Sequence, residues 1–152
     1  MKTQEVEISI GLIKINSSYV CLKRNLSPYK NFIEFPGGKK NIEETISSCL
    51  VREIKEELNI SLKKYKYIGF IKHLYNDVLI KINIFKIFKY SGEISSNENR
   101  NIIFYNNESD FSVLPTHKRI LNILKVPKVL KIFNFENFLH DKNLNLSSFN
   151  YI

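Results

Sequence analysis

Val6, Ile8, Ile10 and Leu12 alternate with polar neighbours at the period of a half-buried strand, so residues 5–15 are expected to be extended. Asn16-Ser17-Ser18 then supplies a turn, and residues 19–23 read as a second strand. A polar loop containing Pro28 leads to the apolar run 32–35, and Pro36-Gly37-Gly38 is expected to break the chain. The period then lengthens. Between Thr45, a plausible N-cap, and Asn59, placed where a left-handed residue should end the element, Leu50, Val51, Ile54 and Leu58 fall on one helical arc. The residue three after the cap is Ser48, not the Glu of the usual capping box. Residues 65–73 and 78–90 form an expected hairpin about Asn76-Asp77, residues 91–101 a polar loop, and residues 102–105 a short strand. Leu114-Pro115 precedes an amphipathic helix with Ile120, Leu121, Ile123 and Leu124 facing inward. Strands and helices without strict βαβ alternation indicate an α+β domain, a mixed β-sheet flanked by helices.

Length adds that 152 residues make one domain, here 1–125, with 126–152 an extension of unassigned role. The formal net charge of +8 suits a polyanionic substrate such as a nucleotide. The lysines are scattered, however, and no nucleic-acid-binding motif accompanies them, so a nucleic-acid partner is not expected. Cys21 and Cys49 stand alone, without a C-x-x-C pair, and read as reduced structural thiols. No apolar run reaches membrane length, and Glu5 and Glu7 interrupt the stretch a signal peptide would need. A cytoplasmic monomer is the expectation.

The chemistry concentrates in residues 38–60, where Gly38, Glu44, Arg52, Glu53, Glu56 and Glu57 keep the spacing G-x5-E-x7-R-E-Ile-x-E-E-x-Asn-Ile. On a helix turning about 100° per residue, Glu56 lies about 60° to one side of Glu53 and Glu57 about 40° to the other. Three carboxylates thus crowd one face. Two such charges about 6 Å apart repel by roughly 3 kcal/mol at an effective dielectric of 20, a cost that a bound cation converts into affinity. Hard oxygen donors suit Mg²⁺ or Mn²⁺. Arg52 can pair with Glu56 one turn on or reach back to Glu44. A merely solvated acidic face is the competing explanation for the three glutamates, and it loses ground once Gly38, Glu44 and Arg52 stand in register with them.

This spacing resembles the signature of the Nudix hydrolases, departing from it only at Asn59, where the family carries glycine. The segment IEFPGGK at 33–39 is similar to the entry of the signature in the MutT-type enzymes, which cleave oxidised guanine nucleotides, and the similarity runs from about residue 4 to 124. The resemblance implies an α/β/α sandwich. It implies a Mg²⁺-dependent (or Mn²⁺-dependent) hydrolysis of a nucleoside triphosphate to monophosphate and pyrophosphate, with 8-oxo-dGTP as substrate and sanitation of the nucleotide pool as purpose. Glu53, Glu56, Glu57, Glu98 and the Gly37 carbonyl would hold metal. Glu53 or Glu98 would take the proton of the attacking water, Arg52 would orient the carboxylates, and Glu44 would fix the loop. Arg24, Glu34, Phe35, Pro36, Gly37, Gly38, Asp77 and His117 would contact the substrate. His117 stands where the family's Leu-Pro-Ala-Asn-Arg element has a base-reading asparagine. An imidazole carries its donor and acceptor on opposite ring atoms, whereas an amide presents both side by side, so selectivity for the oxidised base is in question. Two alternatives follow: the same chemistry on another substrate (dinucleoside polyphosphate, ADP-ribose or capped RNA), and a non-catalytic nucleotide or RNA sensor on the same fold.

Overall fold

In the computed structural model, residues 4–75, 77–98, 100–106 and 110–125 are described. The extension 126–152 and Asn76 of the expected hairpin turn lie outside them. Among the described residues, seven strands and two helices follow in the order β1 (Gln4–Ile15), β2 (Ser18–Lys23), β3 (Ile33–Glu34), β4 (Gly37–Lys39), α1 (Ile46–Leu58), β5 (Ser61–Tyr75), β6 (Val78–Ser91), β7 (Ile102–Tyr105) and α2 (Pro115–Lys125). The main path of the sheet is β3-β2-β1-β6-β5, with β4 added on β1 and β7 on β2. β1 is the organising strand. It runs parallel to β6 from Gln4 to Ile13 and antiparallel to β4 through Ile8, Ser9 and Ile10. At its far end it turns into β2 through Asn16, which takes a left-handed φ of 53°.

The alternation along β1 is resolved into two cores. Ile10 and Leu12 join Phe35, Ile71, Ile82, Ile84, Ile120 and Leu121 on the α2 side. Ile13 joins Leu50, Ile54, Leu58, Phe85 and Ile87 on the α1 side. One helix on each face of a mixed sheet is the expected α/β/α sandwich.

Several local expectations are corrected. Pro36-Gly37-Gly38 does not simply break the chain, because Gly37–Lys39 forms β4 against β1. The apolar run at 32–35 contributes only Ile33 and Glu34 as strand, and Ser18 belongs to β2 rather than to the turn. Val51 is not part of the buried stripe, being 39% exposed. The reason is β4: it covers the flank of α1 that carries Cys49 and Glu57, both buried, and so rotates the buried arc away from Val51. α2 begins at Pro115 itself, where a missing N–H costs nothing in the first turn. The hairpin arms run longer than their apolar alternation, to 61–75 and 78–91, with irregular register between Leu62 and Tyr65 and between Tyr67 and Gly69.

Candidate active site

α1 is held at both ends by its own side chains. Thr45 Oγ1 accepts from the Ser48 amide at 3.0 Å, and Ser48 Oγ accepts from the Thr45 amide at 2.9 Å. Serine therefore completes the reciprocal cap that its short side chain had left in doubt. Asn59 closes the helix in the left-handed region (φ 57°, ψ 20°), its amide donating to the Lys55 carbonyl. Between these caps the helix presents its three glutamates in graded surroundings: Glu57 is buried, Glu53 retains 15% of its side-chain exposure, and Glu56 52%.

Two glycines bring the β4 strand onto this helix. Gly37 has φ +139°, and a Cβ there would lie 2.1 Å from the Ser9 carbonyl oxygen. Only glycine fits that backbone and that approach. Gly38 has no such backbone demand, but a Cβ on it would lie 2.4 Å from the Glu53 carboxyl carbon. The Glu53 carboxylate therefore rests on the bare face of Gly38. The Gly37 amide donates to Glu57 Oε2 at 2.7 Å, and Cys49, a free buried thiol like Cys21, directs its Sγ at the Gly38 carbonyl.

Arg52 makes all of the pairings left open for it. Its Nε and Nη2 grip Glu44 at 2.5 and 2.9 Å, and its Nη1 reaches Glu53 at 2.8 Å and Glu56 at 2.9 Å. Nη2 also donates to the Lys39 carbonyl, tying α1 to β4. Glu44 in turn accepts from the Asn41 amide and fixes the entry loop. The guanidinium of Arg52 holds the Glu44 carboxyl well below its usual range, to about 2. Burial raises Glu53, against the pull of Arg52, and the charges of Glu56 and Glu98 add to the rise. Glu98, exposed in the loop after β6, is thereby within electrostatic reach of Glu53. Burial also raises Glu57, opposed by the Gly37 amide and by Arg100.

Arg100 was not anticipated. It donates from Nη1 to Glu57 Oε1 and from Nη2 to Glu34 Oε1, each at 2.5 Å, while Arg24 takes the other Glu34 oxygen at the same distance. A signal for it does exist in the chain. Of 23 basic residues only four are arginine, at 24, 52, 100 and 119, and Arg24, Arg52 and Arg100 bind carboxylates here. Where lysine is the default cation, arginine marks places that need a planar fork.

Residues that the resemblance assigns to the substrate form a second group. Segment 112–114 runs beside β3, with Ile33 donating to the Ser112 carbonyl and accepting from the Leu114 amide. This seats the start of α2 next to Phe35, whose ring centroid is 5.3 Å from that of His117. Burial pushes the His117 imidazole down, to about 3, with the Arg24 charge adding to it, so the ring is neutral. Its Nδ1 lies 3.2 Å from Thr116 Oγ1, and its buried Nε2 has no hydrogen-bond partner among the described residues. Pro36 accepts from the Gly11 amide at the junction of the two groups. Asp77 is not brought to either one. It precedes Val78, the partner of Gln4, five residues along β1 from the Ser9 that faces Gly38, which is roughly 17 Å of strand.

The donors suit a hard divalent cation: carboxylates in excess of arginines, one of them set on a bare glycine. As the side chains stand, no three of them converge at metal-binding distance among the described residues, and Arg52 and Arg100 hold oxygens of Glu53, Glu56 and Glu57. The residues fit the ion once those guanidiniums yield an oxygen.

Comparison with known proteins agrees with this fold. A family model described as NUDIX domain matches residues 7–115. An 8-oxo-dGTP diphosphatase of Buchnera aphidicola subsp. Schizaphis graminum is 33% identical over 98 residues, 64% of this chain and 73% of that protein. An mRNA-decapping protein of fowlpox virus is 43% identical over 70 residues, which is 38% of this chain and 31% of that protein. A MutT NUDIX hydrolase from Burkholderia pseudomallei superposes with a TM-score of 0.70 over 78% of this chain and 97% of its own, at 21% identity, a likeness of fold. No helix among the described residues is long and apolar enough to cross a membrane.

Proposed function

Since the chain belongs to the Nudix family and is a MutT-type hydrolase acting on phosphoric anhydrides, we propose that it cleaves a nucleoside triphosphate, with Mg²⁺, to the monophosphate and pyrophosphate. The observation that carries this is the Glu53 carboxylate lying on Gly38, beside Glu57 held by the Gly37 amide. Glu53, Glu56, Glu57, Glu98 and the Gly37 carbonyl are the proposed metal ligands. The ion, when bound, neutralises phosphate oxygens and lowers the pKa of water. Glu53, raised by burial, is the proposed base, with Glu98 the alternative. Arg52 positions Glu53 and Glu56 and is itself anchored by Glu44. Phe35 is the proposed wall for the base and His117 its reader, with Arg24, Glu34 and Pro36 as further proposed substrate contacts.

The proposed substrate is 8-oxo-dGTP, which would place the enzyme in sanitation of the nucleotide pool and so in the prevention of replication errors. A neutral imidazole with one buried nitrogen unpartnered among the described residues supports a second substrate reading, because it offers a single hydrogen bond where an amide offers two. Under that reading the substrate is another nucleoside diphosphate derivative: a dinucleoside polyphosphate, ADP-ribose or capped RNA. The test compares kcat/KM for 8-oxo-dGTP and dGTP and extends to those compounds. A strong preference for the oxidised nucleotide supports the first reading, and a ratio near unity removes it.

A further inference from the structure

Glu57 differs from Glu53 and Glu56, the other signature carboxylates on α1, in that both of its oxygens are already engaged by short bonds. Oε2 accepts from the Gly37 amide at 2.7 Å and Oε1 from Arg100 at 2.5 Å. Each guanidinium nitrogen of Arg100 is likewise engaged, Nη1 on Glu57, Nη2 on Glu34 and Nε on the Lys23 carbonyl, with its own amide on Ser96 Oγ. The set Arg24, Glu34, Arg100 and Glu57 is electrically neutral, and its side chains keep between 6% and 26% of their exposure. Around Arg52 the balance is different: one guanidinium serves Glu44, Glu53 and Glu56, with Glu98 nearby. The uncompensated negative charge of the site thus lies on the Glu53 side, while the Glu57 side carries its own cation.

We propose that Arg100 is an internal counter-ion of the metal site, holding Glu57 when no metal is bound and giving up that oxygen when a divalent cation arrives. This rests on the reading of Glu57 as a metal ligand made above. Mg²⁺ and its analogues sit about 2.0–2.1 Å from a ligating oxygen. A guanidinium still bonded to the same oxygen would stand within about 4 Å of a divalent charge, so the two cations compete for it. Nη2 on Glu34 and Nε on Lys23 give Arg100 two anchors that do not depend on Glu57, so the side chain can let go without leaving the site.

The test is Mn²⁺ binding to the full chain without nucleotide, followed by the electron paramagnetic resonance of free Mn²⁺. Arg100→Gln should bind Mn²⁺ at least about tenfold more tightly than wild type, because a buried carboxylate stripped of its partner gains most from a replacement cation. Arg100→Lys, which keeps the charge but not the fork, should fall between the two, and it carries the test alone if the glutamine variant does not fold. Mn²⁺ should also raise the melting temperature of these variants more than that of wild type. Binding that is unchanged or weaker in the Arg100 variants, while Glu57→Gln weakens it, overturns the exchange. Wild-type Mn²⁺ affinity in Glu57→Gln instead removes Glu57 from the ligand set, and the proposal with it.

Discussion

Gly38→Ala separates the catalytic from the structural demands of the β4 turn. The added Cβ would stand 2.4 Å from the Glu53 carboxyl carbon and from Oε1, and 2.5 Å from Oε2. Carbon atoms in contact rest about 3.5–4.0 Å apart, so the carboxylate must retreat by about 1 Å or more. It can do so, because the obstacle is the end of a flexible side chain and the Gly38 backbone is not among those with positive φ. Stability should therefore stay within about 1 kcal/mol of wild type, the strain being partly offset by the lower chain entropy of alanine. A displacement of that size in a reacting group costs about 10²-fold in rate. The assay is pyrophosphate release under saturating Mg²⁺ and nucleotide, with thermal unfolding of the same preparation. Gly37→Ala is the contrast: its Cβ would strike the Ser9 carbonyl at 2.1 Å from a backbone at φ +139°, so that variant should lose about 2 kcal/mol or more of stability. Wild-type turnover in a well-folded Gly38→Ala protein would refute the role given to Glu53 at this glycine.

Two further outcomes follow from the electrostatics. Arg52 depresses Glu44 from 4.5 to about 2, so between those values the unfolded chain binds more protons than the folded one, and stability rises with pH through that window and is fully present above it. Glu44→Gln should lower the melting temperature at neutral pH and flatten its acid limb between about pH 2 and 4.5; thermal melts across that range check it. His117→Asn restores a side-by-side donor and acceptor and should raise the kcat/KM ratio of 8-oxo-dGTP over dGTP; a ratio that stays put or falls would show that residue 117 does not face the base.

What could be read from the chain was whatever a local rule encodes. The period of 3.6 and the caps Thr45 and Asn59 delimit α1, and the carboxylate spacing on it needs nothing but helical geometry. The apolar richness of 78–90 marks β6, whose middle, Ile82–Phe85, is buried because both faces of that strand meet a core. β4 escaped because Gly-Gly looks like a break when considered alone; it becomes strand only through pairing with Ser9 and Ile10, partners far away in sequence. Val51 was misplaced for the same reason, since the strand that rotates the buried arc was not foreseen. Arg100 sits in a polar loop with no periodicity, and its role is created by Glu34 and Glu57, which lie 66 and 43 residues away. The place of Asp77 was equally illegible, because which end of β1 its hairpin turn reaches is set by the pairing of β1 with β6 and by no local pattern.

The most direct test of the account is product analysis by phosphorus NMR of a nucleoside triphosphate incubated with the purified full chain, with Mg²⁺, with EDTA, and with Glu53→Gln. The account predicts nucleoside monophosphate and pyrophosphate from the wild type with Mg²⁺, no turnover in EDTA, and a loss of several orders of magnitude in the folded variant. Undiminished cleavage by Glu53→Gln, or cleavage that EDTA leaves untouched, would contradict it.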